Sequence, residues 1–147
     1  MFKRILVATD GSPLADKAVA KAIDLATEHK AELTALTVVL RQAKSHMEGT
    51  LRFQSEELDR IESRRAEQAK AMLDAIEKRA EARGVRVSSA VVRSSRVAPS
   101  IIEASGKYGS DLIVMATHGR TGLTSAFLGS ETAQVLAHSD VPVLVLR

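Results

Sequence analysis

The stretch from Ala116 to Thr132, ATHGRTGLTSAFLGSET, gathers residue types that suit the binding of an anion. Gly119 and Gly122 give the backbone freedom, and Gly129-Ser130 stand where the last helix is expected to begin. A helix start offers unpaired N–H groups and the positive end of a dipole, and a preceding glycine lets the backbone approach an anion closely. We therefore predict a phosphate-binding loop in which Gly129 and Ser130 supply donors and Ser130 also caps the helix.

This loop differs from the two common phosphate-binding motifs. Neither G-x-x-x-x-G-K-[ST] nor G-x-G-x-x-G occurs in the sequence. A simpler interpretation also stays open, in which Gly129-Ser130 only start a helix and Gly122 only makes a turn. The nine residues that separate Gly119 from Gly129 favour the functional interpretation, because a plain turn needs no such length.

The elements that position this loop are predicted to be strands and helices that alternate along the chain. Short apolar, β-branched runs indicate buried strands, and apolar residues at a spacing of three and four indicate helices. The expected strands are 4–9, 32–40, 85–93, 111–116 and 141–147, and the expected helices follow Ser12-Pro13 and cover 51–83, 97–109 and 131–139. This order predicts a single α/β domain over 1–147, with an open five-stranded parallel sheet and helices on both faces, as in Rossmann-like folds.

The polar residues that follow two of these strands are expected to meet. In open parallel sheets, ligands bind beyond the carboxyl ends of the strands, where the strand order reverses. The first strand runs into Thr9-Asp10-Gly11-Ser12 and the fourth into Ala116-Thr117-His118-Gly119. Each residue type has a structural alternative: Asp10 is also a common cap or turn residue, and His118 can bond to the backbone of its loop.

Composition excludes several classes of function. The sequence has no cysteine, which excludes a disulfide framework, a thiolate zinc site and a cysteine nucleophile. With one tyrosine, three phenylalanines, no tryptophan and a net charge of +3 spread along the chain, nucleic-acid binding is not expected. No apolar run reaches the roughly 18 residues of a membrane span, and the first apolar run is too short for a signal peptide. We therefore expect a soluble cytoplasmic protein without a membrane partner.

Two stretches of the sequence resemble the signatures of the universal stress protein (UspA) family. They are ILVATDGSPLADKAVAKAIDLA near the start and VMATHGRTGLTSAFLGSETAQVLAHSDVPVLVLR at the end, in the order that the family shows. The ATP-binding branch carries a glycine, two residues, a glycine, nine residues, and a glycine followed by serine or threonine. Gly119 and Gly129-Ser130 match this pattern, whereas Ala116 replaces the first glycine. Because alanine disfavours a positive φ, the effect of this replacement depends on the backbone conformation at position 116.

The resemblance implies an adenine nucleotide alpha hydrolase-like fold and a site for ATP, with Mg²⁺ or Mn²⁺ as an optional companion. The implied nucleotide-binding residues are Ala8, Thr9, Asp10, Val38 and Met115 toward the adenine and ribose, and Ala116, His118, Gly119, Arg120, Gly129, Ser130 and Glu131 toward the ribose and phosphates. In this set Asp10 would bond to a ribose hydroxyl or an adenine edge, Arg120 would reach the terminal phosphate, and Glu131 would contribute its backbone amide. No catalytic or metal-ligating residue is assigned.

Three functions are compatible with these residues. The first is an ATP-binding regulatory module in the stress response, the second a slow ATP hydrolase or phosphotransferase, and the third an interaction dimer with an empty site. Hydrolysis needs a positioned water and charge stabilisation, and the sequence shows neither a Walker lysine nor a second acidic residue clearly placed near Asp10. We therefore expect catalysis to be a side activity at most.

The chain end and the first long connection carry two further predictions. The apolar segment 141–147 is expected at a sheet edge, where Pro142 is tolerated. Because an exposed apolar edge promotes association, we predict a homodimer in which the same strand of a second copy covers it, and the resemblance implies the same mode. The segment Arg41–Thr50 lacks apolar anchors and is predicted to be mobile.

Overall fold

A parallel sheet lies between two layers of helices. A computed structural model describes residues 1–41, 51–118 and 129–147 of the chain. In these ranges the strands are β1 (Arg4–Ala8), β2 (Glu32–Leu40), β3 (Val87–Ser94), β4 (Leu112–Ala116) and β5 (Val143–Leu146), and the helices are α1 (Pro13–His29), α2 (Leu51–Glu81), α3 (Val97–Lys107) and α4 (Ser130–His138). This confirms the predicted α/β fold. The connection predicted to be mobile lies outside the described residues, apart from Arg41.

The strands are ordered β3-β2-β1-β4-β5, and every neighbouring pair is parallel. The chain first builds the sheet outward from β1 to β3 and then returns to the other side of β1 to add β4 and β5. The strand order therefore reverses between β1 and β4. The last strand, β5, is an edge strand, which confirms its predicted position.

The alternation of side chains along the strands divides the core into two layers. Ile5 and Val7 of β1 pack into the layer that contains α1 and α2. Leu6, between them, packs into the opposite layer with α3 and α4. A strand that is buried on both faces must be apolar at every position, which is why β1 and β4 appear in the sequence as continuous apolar runs.

Asp111 joins the amino ends of β1 and β4. Its carboxylate accepts hydrogen bonds from the backbone N–H groups of Lys3, at 2.8 Å, and Arg4, at 3.1 Å. The N–H group of Asp111 in turn donates to the carbonyl oxygen of Arg4 at 2.8 Å. One side chain thus fixes the register of two strands that are far apart in the sequence, at the end of the sheet opposite the predicted site.

The first helix begins as predicted. Ser12 is its N-cap residue, and the Ser12 hydroxyl accepts a hydrogen bond from the N–H group of Ala15 at 3.2 Å. Pro13 occupies the first helical position, where the missing N–H group costs nothing. The helix ends at His29, where Lys30 adopts the left-handed conformation with φ 54°.

The longest described helix, α2, is held to the sheet by an ion-pair network as well as by its apolar face. Glu62 lies 3.6 Å from the guanidinium of Arg41, directly after β2, and 3.9 Å from that of Arg93 on β3. Gly84, with φ +76°, follows the helix and confirms the predicted stop. In the described part of the chain, no helix combines the length and the apolar character that crossing a membrane requires.

Candidate functional site

A cavity of about 320 Å³ opens over the carboxyl ends of β2, β1 and β4, where the strand order reverses. Its volume lies at the lower end of the range of about 300–1,000 Å³ that is usual for small-molecule sites. The residues that line it are Ala8, Thr9, Asp10, Ala15, Leu36, Val38, Leu40, Val97, Ile101, Met115, Ala116, His118, Glu131 and Thr132. The cavity therefore gathers predicted site residues from β1, β2, β4 and α4.

The wall of the cavity toward α3 is apolar, and part of it was not predicted. Leu36, Val38 and Met115 come from strands, and Val97 and Ile101 come from the first turns of α3. Only Val38 and Met115 were expected here. Because side chains two apart on a strand share a face, Leu36 could have been inferred from Val38. The α3 residues lie far from Val38 in the sequence, and no local pattern points to them.

The turn after β1 is held together by its own side chains. Asp10 accepts a hydrogen bond through Oδ1 from the N–H group of Ser12 at 2.9 Å, and Thr9 accepts one through Oγ1 from that of Gly11 at 3.1 Å. The hydroxyl of Thr37, on β2, donates to the carbonyl oxygen of Thr9 at 2.7 Å. Asp10 therefore stabilises the turn after β1, as the structural interpretation predicted, and it also lines the cavity.

Gly129 brings the start of α4 against the end of β4. A Cβ atom at this position would lie 3.0 Å from the carbonyl oxygen of Thr117 and 3.3 Å from Cα of His118. Both atoms belong to the backbone, so neither can move aside as a flexible side chain would. The N–H group of Gly129 donates to the Thr117 carbonyl at 2.6 Å. The prediction that Gly129 supplies a donor to the ligand is therefore wrong for its N–H group, because the end of β4 already uses it.

The helix that follows starts without a side-chain cap. Gly129 is the N-cap residue of α4, and Ser130 is its first helical residue, so the prediction that Ser130 caps the helix is wrong. The first bond of the helix runs from the N–H group of Ala133 to the carbonyl oxygen of Gly129, at 3.0 Å. No acceptor in the described ranges bonds to the amides of Ser130, Glu131 or Thr132. These three amides form an uncapped helix N-terminus, which is electropositive.

Thr132 fixes this helix start in place. Its hydroxyl donates to the carbonyl oxygen of Ala116 at 2.8 Å, and the side chain is buried. Together with the bond between Gly129 and Thr117, it joins the first turn of α4 to the end of β4. The uncapped amides are therefore held by the backbone of the sheet.

The carboxylate of Glu131 bridges two helices. Its Oε2 atom accepts a hydrogen bond from the N–H group of Ala98, in the first turn of α3, at 2.9 Å. The N-cap residue of α3, Arg96, makes no side-chain cap bond, so Glu131 caps α3 from the neighbouring helix. The sequence did not clearly place a second acidic residue near Asp10, and in the structure Glu131 lines the same cavity as Asp10.

The end of β4 shows how the chain accommodates its departure from the family pattern. Ala116 is a regular strand residue in register with Leu146 of β5. Lys30 is the one non-glycine residue with a positive φ in the described part of the chain. Position 116 therefore needs no glycine for its backbone conformation.

His118 lines the cavity, with Nδ1 3.1 Å from the hydroxyl of Thr117. Gly119 and Arg120 lie outside the described residues.

The whole chain matches one protein family. The sequence model of the universal stress protein family covers residues 1–147. The chain belongs to the universal stress protein family. A universal stress protein of Methanocaldococcus jannaschii is 35% identical over 149 residues, which cover 100% of this chain and 83% of that protein. The structure of the universal stress protein UspA from Lactobacillus plantarum superimposes with a TM-score of 0.86 at 25% identity, covering 99% of this chain and 97% of that one.

Two solved universal stress proteins contain nucleotides. One, in complex with cAMP, has a TM-score of 0.69 at 23% identity over 99% of this chain and 97% of that chain. The other, from Archaeoglobus fulgidus in complex with dAMP, has a TM-score of 0.68 at 16% identity over 99% of this chain and 98% of that chain. At these identities the likeness to this universal stress protein is one of fold.

Proposed function

We propose that this universal stress protein binds an adenine nucleotide, ATP in the first place, in the cavity at the ends of β1 and β4. Binding would make it a regulatory module of the stress response, in which the nucleotide changes its affinity for a partner. The observation that carries the proposal is a single cavity that joins an apolar wall to the uncapped start of α4. The apolar wall suits an adenine ring, and the start of α4 suits a phosphate group.

The apolar wall suits the base. Val38 and Met115 face the cavity from two strands, and Ile101 faces it from α3, so a flat ring can be buried among aliphatic and thioether groups. Ala8 and Thr9 supply backbone near the floor of the cavity. Asp10 is a suitable acceptor for a ribose hydroxyl. The cAMP and dAMP complexes within the family support an adenine ligand in particular.

The start of α4 suits the phosphates. Its amides concentrate positive potential, and Ser130, its first residue, is exposed. We propose that Ser130 donates through its hydroxyl and that Glu131 donates through its backbone amide. Gly119 and Arg120 remain proposed ligands of the phosphates on the strength of the family pattern alone.

A divalent cation such as Mg²⁺ or Mn²⁺ would have to rely on the nucleotide for most of its coordination. Mg²⁺ takes oxygen ligands and usually combines one or two carboxylates with phosphate oxygens and water. The described residues contain no cluster of three or more His, Asp or Glu side chains that would suit a metal ion. Asp10 and Glu131 are the carboxylates of the cavity lining that fit such a role.

The edge of the sheet favours association with a second copy. Leu144 on β5 is 37% exposed, and Leu136 on the neighbouring α4 is 42% exposed. The outer edge of β5 also presents unpaired backbone groups. We propose a homodimer that covers β5.

Light scattering at micromolar concentration should give twice the monomer mass, and Leu144→Lys should shift the mass toward the monomer. A monomeric wild type would contradict the dimer.

Native mass spectrometry of freshly purified protein, followed by calorimetric titration with ATP and adenosine, tests the nucleotide site. Val38→Trp should abolish binding of both ligands because it fills the base region. Val91→Trp is the matched control, since Val91 on β3 packs into the opposite layer of the core and does not line the cavity. A wild type that neither retains nor binds any adenine ligand would overturn the proposal. Phosphate release measured in parallel would reveal hydrolysis.

A further inference from the structure

The helix start that carries part of the apolar wall has no capping side chain of its own. Val97 and Ile101 line the cavity from the first turns of α3. The N-cap residue of this helix, Arg96, makes no side-chain cap bond, and Pro99 has no N–H group to donate. The amides of the first turn are therefore left to an acceptor from another element.

Glu131 supplies that acceptor from α4. Its Oε2 atom accepts a hydrogen bond from the N–H group of Ala98 at 2.9 Å, and Ala98 is 1% exposed. A carboxylate acceptor strengthens a hydrogen bond, and its negative charge is favourable at the start of a helix. Within the described ranges, this is the one hydrogen bond that joins α3 to α4.

The turn that carries Glu131 is itself anchored to the sheet. On one side of it, the N–H group of Gly129 donates to a backbone carbonyl at the end of β4 at 2.6 Å, and on the other the hydroxyl of Thr132 does so at 2.8 Å. The carboxylate thus extends from an anchored turn to the start of α3. A continuous path of hydrogen bonds runs from β4 through the first turn of α4 to the helix that carries part of the apolar wall.

We propose that Glu131 is a positioning residue for the base: its carboxylate holds the start of α3, so that Val97 and Ile101 are in place before a ligand binds. The inference rests on the nucleotide binding proposed above. Because the wall is already ordered, the entry of the ring carries no cost of ordering α3. Loss of the carboxylate should therefore weaken the binding of every ligand with an adenine ring by the same factor.

Glu131→Ala tests this inference, since it removes the carboxylate and leaves the backbone amide of the helix start in place. Calorimetric titration without divalent cations should show adenosine and ATP binding about three- to tenfold more weakly, with the ratio of the two affinities unchanged. Glu131→Gln should restore both affinities to within about twofold of wild type, because its amide oxygen can still accept the bond from Ala98. Amide hydrogen exchange at Ala98 should be faster in the alanine variant and close to wild type in the glutamine variant.

Ser105→Ala is the matched control on the same helix. The hydroxyl of Ser105 donates to the carbonyl oxygen of Ile102 at 2.7 Å, near the other end of α3, and Ser105 does not line the cavity. Losing this bond should at most lower the midpoint of thermal unfolding, and both affinities should stay unchanged. A loss of adenosine affinity as large as that of Glu131→Ala would show that any weakening of α3 has the same effect and that Glu131 has no particular role.

The remaining outcomes overturn the inference in distinguishable ways. If wild type and Glu131→Ala bind both ligands equally well, the inference fails alone. A loss of ATP affinity without a loss of adenosine affinity would show that the carboxylate acts on the phosphates and not on the wall. If Glu131→Gln binds as weakly as Glu131→Ala, the hydrogen bond to Ala98 is not what matters. If the wild type binds neither ligand, the proposed function fails and the inference fails with it.

Discussion

Three of the described helices begin beside the cavity, and two of them, α1 and α4, begin in opposite ways. The first turn of α1 is closed by its own sequence, since the Ser12 hydroxyl bonds to the amide of Ala15 and Pro13 has no N–H group to satisfy. The first turn of α4 has Gly129 in place of a capping side chain. Its one buried hydroxyl, that of Thr132, bonds backward to the carbonyl oxygen of Ala116.

The difference supports the proposal that the start of α4 binds an anion, because no capping side chain occupies it. Glycine in place of a capping side chain costs a helix only roughly a few tenths of a kcal/mol, so α4 gives up little stability. In exchange its amides stay available to an external acceptor. The two bonds between α4 and the end of β4 replace the cap as the means of fixing the helix start. We propose that the start of α1 serves stability and that the start of α4 serves binding, so substitutions at the two starts should separate these properties.

The largest effect is expected from Gly129→Val. The added side chain would collide with the backbone of Thr117 and His118, so α4 would have to move away from β4. We expect ATP affinity to fall by at least about a hundredfold and the free energy of unfolding to fall by about 1–3 kcal/mol. Gly129→Ala should lie between wild type and valine in both measurements, calorimetric titration and urea unfolding. Unchanged ATP binding to Gly129→Val would show that the close approach serves no ligand.

Ser130→Ala should affect binding without affecting stability. A hydrogen bond to a charged group contributes about 1.5–3 kcal/mol, which corresponds to a loss of ATP affinity of about ten- to a hundredfold. Adenosine has no phosphates and should lose much less. Because Ser130 is exposed and is not the cap, the unfolding midpoint should stay within error of wild type.

The matched control for Ser130→Ala is Ser63→Ala, which removes an exposed hydroxyl from α2. It should change neither ATP nor adenosine affinity. If Ser130→Ala keeps full ATP affinity while folded, the phosphate-binding interpretation of the loop fails.

Ser12→Ala should give the reverse result. Removing the cap of α1 should lower the free energy of unfolding by about 1 kcal/mol, measured by urea titration. ATP affinity should change by less than about threefold, since the hydroxyl of Ser12 is already bonded to the amide of Ala15. A Ser12→Ala variant that loses ATP binding as strongly as Ser130→Ala would show that the two helix starts do not have separate roles.

The smallest effect is expected from Ala116→Gly, which restores the family glycine. Ala116 lies within β4 and needs no left-handed backbone, so glycine should only loosen the strand by about 0.5–1 kcal/mol. ATP affinity should stay within about threefold of wild type. A large gain in affinity would show that the methyl group of Ala116 obstructs the ligand.

The sequence predicted the parts of the fold that depend on local pattern. The continuous apolar runs of β1 and β4 indicated strands buried on both faces, and Ser12-Pro13 indicated the start of α1, because each feature is read within a few residues. The meeting of Asp10 with His118 followed from the general position of ligands in parallel sheets.

Contacts between distant elements escaped the same reasoning. The hydrogen bond from Ala98 to Glu131 joins two helices, and no local sequence pattern near either residue predicts it. The assignment of Ser130 as the cap failed for a related reason, since the boundary of α4 depends on how closely Gly129 packs against β4. A helix boundary that tertiary packing decides cannot be located from propensity alone.

The pairing of β1 with β4 has a consequence for the newly made chain. β1 is synthesised long before β4, its partner in the pair Ile5–Leu112. The bonds from Lys3 and Arg4 to Asp111 must wait equally long. Such non-local pairing makes folding slow. The start of α4 is synthesised later still, so a nucleotide could bind to it only after β1 and β4 have both been made. A bound nucleotide would therefore stabilise the folded domain and would not speed the early pairing of its strands.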